Sequence, residues 1–461
     1  MPKKKSPQSR NQKEVIKRKP TNLTFIRLGL VVLTLVIVGS IALGASYYAR
    51  GYRFDSTTGS VEPNGILVLK SVPDSAQIFI NGQLKTATNA TIPLPPNTYD
   101  ITIKKEGFMD WNKRLTIEKE VVTESTAYLF RSAPSLSSMT FSGITTIIPN
   151  DDLSKIAYVV PPSSNSLDED NAGLWVMEIL NLPLGFSREP RKVTDGDLTD
   201  SSWAWSPDGT QILLTTKTGV YLLQTNTLTL QSKRVNIAST KAQILDNWKT
   251  QYQTKLDSDL TLLPDEMQDI LRRKAKAISF SPDEKMVLYT ASASATIPDH
   301  LISALPGSST QKEDRTIKDN HTYIYDLEED RNFEIDASPV TLVNDWRRFL
   351  NTDTQLANPT ASISSPIKKL LPTPKIPVST KTIPGTQIDR SISWFPTSRH
   401  VVLSDEGKIV IMDYDGTNRK TVYSGSYVPP YAYPSLNSDS LLILTNLGSD
   451  GIPNLYSLSL R

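Results

Sequence analysis

The stretch Trp203-Ala-Trp205-Ser-Pro207-Asp208-Gly209-Thr-Gln-Ile-Leu-Leu-Thr215 decides the fold of this chain. Proline presets φ at one corner, aspartate binds nearby backbone amides, and glycine takes the left-handed corner. An aromatic run precedes the turn, an apolar run follows it, and Val220–Leu223 supplies a third apolar run. The pattern predicts short antiparallel strands joined by tight turns. It recurs as Ile278-Ser-Phe280-Ser-Pro282-Asp283-Glu284, with Met286–Tyr289 and Tyr323–Leu327 after it. It recurs again as Ile392-Ser-Trp394-Phe-Pro396, with Val401–Leu403 and Ile409-Val-Ile-Met412-Asp413-Tyr-Asp415-Gly416. Weaker copies begin at Ile148-Pro149-Asn150-Asp151-Asp152 and at Tyr433-Pro434-Ser-Leu-Asn437.

The turn prolines at 149, 207, 282, 396 and 434 are separated by 58, 75, 114 and 38 residues. The smallest gap is close to the roughly 40–45 residues of a four-stranded propeller blade. The larger gaps read as a blade plus an insertion, or, for the longest, a degenerate blade. Trp-Ser-Pro-Asp-Gly and Ile-Val-Ile-Met-Asp-Tyr-Asp-Gly resemble the signature strings of the TolB-type, WD-repeat-like β-propeller. The resemblance implies a propeller over 135–461, with five blades expected and six the alternative. The last repeat stops at Tyr456–Arg461 without an outermost strand. Leu136–Phe141 is expected to supply it and so clasp the ring shut.

Two insertions break the rhythm. In 241–276, Ile244, Trp248, Tyr252 and Leu256 fall on one helical stripe. A second helix is expected from Pro264, with acids at its start and Arg272-Arg273-Lys274 at its end, matching the helix dipole. The pair reads as a hairpin on the propeller rim. The stretch 351–390 has six prolines, no aromatic residue and several lysines, so it reads as a flexible Pro/Ser/Thr-rich loop.

Upstream, Gly65–Phe130 alternates with period two: Tyr99, Ile101 and Ile103 in one run, Leu115 and Ile117 in another. One buried and one wet face is the mark of an antiparallel sandwich. Asn81-Gly82 after Gln77–Ile80 is a two-residue hairpin signal. The strand Gly65–Val72, the turn Pro73-Asp74-Ser75-Ala76, the Asn81-Gly82 hairpin, the Pro95-Pro96-Asn97 turn and Gly107-Phe108 together resemble the PEGA domain, over 64–131. Pro-Asp-Ser-Ala stands in place of Pro-Glu-Gly-Ala. The resemblance implies a small surface sandwich and carries over no functional residue.

Residues 1–22 hold eight Lys/Arg and one acid, Glu14, a net +7; the remainder is −5, so the whole-chain +2 is a basic tail on an acidic body. Leu28–Ala49 follows with no charge, bracketed by Arg27 and Arg50 with Tyr47, Tyr48 and Tyr52 nearby. At 1.5 Å per residue it spans about 33 Å, enough for a bilayer core of roughly 30 Å. A transmembrane helix is expected over 23–50, with the tail cytoplasmic and touching anionic lipids, and the remainder extracytoplasmic. A cleavable signal peptide is the rival, but the uncharged stretch exceeds the usual apolar core of one.

Cysteine is absent, which excludes disulfides, Cys-ligated metals and a thiol nucleophile. No nucleophile elbow, His-Glu-x-x-His or phosphate loop is present. His300, His321 and His400 read as ordinary residues, Asp168–Asp170 as a solvated acidic loop. Asp413-Tyr-Asp415-Gly416 matches a calcium loop in spacing only. No catalytic, cofactor or metal site and no nucleic-acid partner is expected. Of Trp203 and Trp205, one is expected in the core and one exposed or facing the channel. With Trp394 they form the candidate binding surface, because exposed aromatics hold glycans by stacking. The expected function is a non-enzymatic, single-pass envelope protein whose two β domains bind a protein or a cell-surface polymer. The alternatives are an envelope hydrolase acting on glycans or peptides through carboxylates at the channel mouth, and a structural spacer or assembly scaffold.

Overall fold

A computed structural model describes residues 22–49, 52–54, 61–162, 171–179, 189–303, 305–307, 309–343, 390–429, 431–447 and 452–461. The basic tail except Asn22, Asp168–Asp170 and the 351–390 loop except Arg390 lie outside the described residues.

Helix α1 (Asn22–Ala49) includes a 24-residue stretch, Ile26–Ala49, long and apolar enough to cross a membrane. None of its side chains from Ile26 on is buried against the protein.

The sandwich has two sheets. One orders Ala90–Leu94, Gly65–Val72 and Val122–Tyr128, the last pair parallel. The other orders Gln83–Ala87, Gln77–Ile80, Asn97–Lys104 and Trp111–Ile117. Ile78, Ile80, Ile101, Ile103, Leu115 and Ile117 bury alternate positions against Leu67 and Leu69. Asn81 and Gly82 both take positive φ between paired Ile80 and Gln83, so the two-residue hairpin forms where the dipeptide predicts it.

Five mainly antiparallel sheets of three to five strands follow among the described residues, beside a small two-stranded one of Ala295–Thr296 and Thr316–Ile317. Their inner strands are Thr146–Pro149, Ser202–Trp205, Ala275–Phe280, Ser391–Trp394 and Ala432–Pro434. After each comes the same turn. The N–H groups of Leu153, Gly209, Glu284, Ser398 and Ser438 reach back to the carbonyls of Asn150, Ser206, Ser281, Phe395 and Ser435. All five donors take positive φ, near 60°. This corrects the register of the two weaker copies. Pro149 and Pro434 end the inner strands, and Asp151 and Leu436 stand where Pro207 stands in the clearest copy.

Apolar clusters join the first sheet to the second, the third to the fourth, the fourth to the fifth and the fifth to the first. Between the second and third sheets lie α2 (Lys241–Leu260) and α3 (Asp265–Lys274). Trp248 packs on Ala204, Leu213 and Val220 of the second sheet. Leu260, Met267 and Leu271 pack on Val287, Tyr289 and Tyr323 of the third. The hairpin is therefore a wedge between neighbouring sheets, a deeper placement than the rim.

The ring closes through both ends of its chain. Ser135–Ser138 pairs antiparallel with Asn454–Ser459 as the outermost strand of the fifth sheet, so the clasp expected at 136–141 forms. Its centre holds a feature the repeat does not announce. Thr341–Leu342 adds in parallel to the inner edge of the fourth sheet. Leu342 packs with the third and fourth sheets, and Val343 with the first and fifth.

Candidate functional site

Four of the five repeated turns converge on a cavity of about 380 Å³. Asp151 and Glu284 come from the first and third turns, Pro396 and Leu436 from the fourth and fifth. Tyr252, Lys255 and Asp259 come from α2, so the wedge helix builds part of the mouth. Lys255 bridges to Asp151 at 3.1 Å. Burial disfavours its ammonium, but Asp151 outweighs this and raises its pKa. Burial also raises the Asp259 carboxyl, with Glu284 and Asp151 adding to the shift against Lys255. Four carboxylates (Asp151, Asp152, Asp259 and Glu284) around one lysine make this mouth acidic.

The three candidate tryptophans do not form a surface. Trp203 and Trp205 are each 4% exposed and Trp394 is 6% exposed. Trp205 Nε1 donates to the Ile148 carbonyl at 3.0 Å, across from the second sheet to the first. Trp394 Nε1 donates to the Ser279 carbonyl at 3.0 Å, from the fourth sheet to the third. Both occupy the last inner-strand position and reach the penultimate residue of the preceding inner strand. They lock neighbouring sheets, which consumes the ring face and the N–H that a sugar platform would need free. Trp394 also contributes to the cavity lining, while Trp203 sits in the cluster between the first two sheets.

A second polar constellation joins the sandwich to the propeller. Lys113, on the strand Trp111–Ile117, places Nζ 2.7 Å from Asp415 and 3.8 Å from Asp413, with its side chain 9% exposed. Asp413 also receives Trp111 Nε1 at 3.3 Å and Asn418 Nδ2 at 3.0 Å. His400 Nε2 lies 3.4 Å from its other oxygen, and Thr397 Oγ1 lies 2.7 Å from His400 Nδ1. Burial opposes the Lys113 charge, but Asp415 and then Asp413 outweigh it and raise the pKa. Burial likewise opposes the Asp413 charge, and His400 and Lys113 overcome it and lower the pKa. The calcium-like spacing of Asp413 and Asp415 thus serves a cation of the chain itself, the lysine ammonium. Among the described residues no group of three or more His, Asp or Glu is placed to hold a metal ion. His321 pairs with Glu334 at 3.1 Å, and His300 takes a positive φ in its loop.

Sequence reading missed Lys113. Period two puts it on the same face as Trp111, Leu115 and Ile117, where a lysine breaks the apolar pattern, and its partners lie some 300 positions away.

The PEGA domain family model matches residues 64–132. No curated protein sequence matches the chain. Among solved structures, a putative TolB from Agrobacterium tumefaciens is similar at 11% identity and TM-score 0.20, covering 69% of this chain and 78% of that one. TolB from Acinetobacter baumannii is similar at 12% identity and TM-score 0.20, covering 78% and 59%. An acylaminoacyl peptidase from Pyrococcus horikoshii is similar at 12% identity and TM-score 0.19, covering 69% and 39%. The propeller reading stands on the five sheets, their shared turn and the clasp, and residues 64–132 of the chain are a PEGA domain.

Proposed function

We propose that this is a non-enzymatic, membrane-anchored envelope protein whose PEGA and propeller domains lie outside the cytoplasm and bind a protein or a cell-surface polymer. The observation that carries the reading is the buried Lys113–Asp413–Asp415 joint. It makes two β domains one display unit on a chain that carries a membrane-length helix. The strong positive bias of residues 1–22 supports a cytoplasmic tail. Cross-linking intact membranes and purifying the full chain, beside a control lacking the propeller, tests it. Enrichment of a defined partner or polymer over the control is the expected result, and equal recovery from both sinks the reading.

The carboxylates around the channel mouth favour a second reading, a hydrolase of glycans or peptides. Its test is product release from purified cell-wall glycan or peptide. Activity lost in both Asp259→Asn and Glu284→Gln supports it, and no product from the unaltered protein ends it.

A further inference from the structure

The Lys113 joint is arranged for more than charge pairing. Lys113 Nζ touches Asp415 Oδ2 at 2.7 Å, and the Asp415 side chain is fully buried. Among the described residues no other group bonds that oxygen. The other oxygen, Oδ1, accepts from the Thr417 N–H at 3.1 Å and from Thr417 Oγ1 at 2.6 Å. The hydroxyl is closer there than to Asp413, at 3.4 Å. One carboxylate thus has two different ends: Oδ1 held by two donors, Oδ2 left to the lysine. Asp413 stands 3.8 Å from Nζ as a second carboxylate, fixed by Trp111, Asn418 and His400. The Trp111 and Tyr414 rings lie 6.0 and 5.4 Å from Nζ. A cavity of about 350 Å³ reaches the joint, lined by Lys113, Asp413 and Tyr414 among others.

In water an ammonium and a carboxylate remain ions. A buried site strips their hydration, so passing one proton across the pair gives a neutral amine beside a neutral acid. Fixed contact removes the entropy cost of bringing the two together. Aromatic walls and few waters favour loss of water over its return.

We propose that Lys113 and Asp415 condense to an amide that joins the sandwich to the propeller covalently, with Asp413 as proton carrier. The ammonium passes one proton to Asp415 Oδ2. The amine attacks Asp415 Cγ, and the charge developing on Oδ1 meets the two Thr417 donors. The nitrogen gives a second proton to Asp413, which returns it to Oδ2. The Cγ–Oδ2 bond breaks, and Oδ2 leaves as water through the cavity. Of the ammonium hydrogens, one stays on the amide and two leave in the water. Asp413 ends as the carboxylate it began as, and nothing is oxidised or reduced. The ion pair is the reactant, and its pH dependence belongs to that form. The chain has no cysteine, so a disulfide cannot make this connection.

The test is intact mass spectrometry of the full chain, purified in detergent and aged at neutral pH. The expected mass is one water below that of the sequence. Digestion should yield a branched peptide that joins the segment of Lys113 to that of Asp415. Lys113→Met should keep the full mass. So should Asp413→Asn, which retains both bonding partners, with a cooperative melt to show that it folds. The branched peptide from the unaltered chain decides the matter even if a variant fails to fold. Full mass in the aged, unaltered chain overturns the proposal. So does water loss that persists in Lys113→Met, which assigns it to a cyclic imide at Asp415-Gly416. Closure in a folded Asp413→Asn overturns the part given to Asp413. None of these outcomes depends on recovering a partner from membranes, so the two readings fail separately.

Discussion

Lys113 shows how much one side chain can decide. Removing it as Lys113→Ala leaves Asp413 and Asp415 buried without their cation, at a cost of about 3–5 kcal/mol. The lowered stability is measurable as a shifted denaturation midpoint. Exchanging all three for apolar or amide groups of similar size should recover part of it. The same cluster sets a pH window. The raised Lys113 pKa contributes stability that is full below the ordinary lysine range and is lost as pH rises through the folded value. The lowered Asp413 pKa contributes stability present above the ordinary carboxylate range and lost as pH falls through its folded value. Melts across pH should give a neutral plateau falling at both ends, and Lys113→Met should flatten the alkaline fall. The turn corners offer an opposite case. Ser438 holds a φ of 59° that glycine adopts freely. Ser438→Gly is expected to raise stability by roughly 1 kcal/mol in urea unfolding, since strain at such a corner outweighs the added chain entropy.

At the scale of elements, the repeat is legible where side chains dictate the turn and hidden where they only tolerate it. Ser-Pro-Asp-Gly announces the second sheet. The first and fifth turns have the same backbone with Leu153 and Ser438 at the corner, and the prolines two residues before Asp151 and Leu436 pull the eye off register. The clasp was legible because the last repeat lacked an outermost strand and Leu136–Phe141 was spare. The strand at Thr341–Leu342 was not, because two residues of parallel pairing carry no period. Nor did the pattern reveal that the tryptophans face neighbouring strands. Trp205→Phe keeps the ring but orphans the Ile148 carbonyl, and should cost about 1–3 kcal/mol. Trp394→Phe should behave alike at Ser279, and a double variant should lose close to the sum, as sites in separate interfaces do. Thermal melts of the three proteins check this.

For the whole molecule, composition already separated a membrane-length helix, a sandwich and a ring, and the structure fills that outline. What it adds is the coupling between parts, which no local pattern encodes. A variant lacking residues 1–49 should leave the membrane pellet for the aqueous fraction with its β domains folded, judged by an unchanged far-ultraviolet spectrum above 210 nm after subtracting the helix. The clasp has a mechanical meaning. If the helix is held in a bilayer and a partner draws on the propeller, tension enters through residues 131–135 and meets the strand Ser135–Ser138 first. A pull along that strand loads its four paired positions together in shear, instead of peeling them one by one. The Lys113 joint shares the force, so the chain end that closes the ring also serves as its tether.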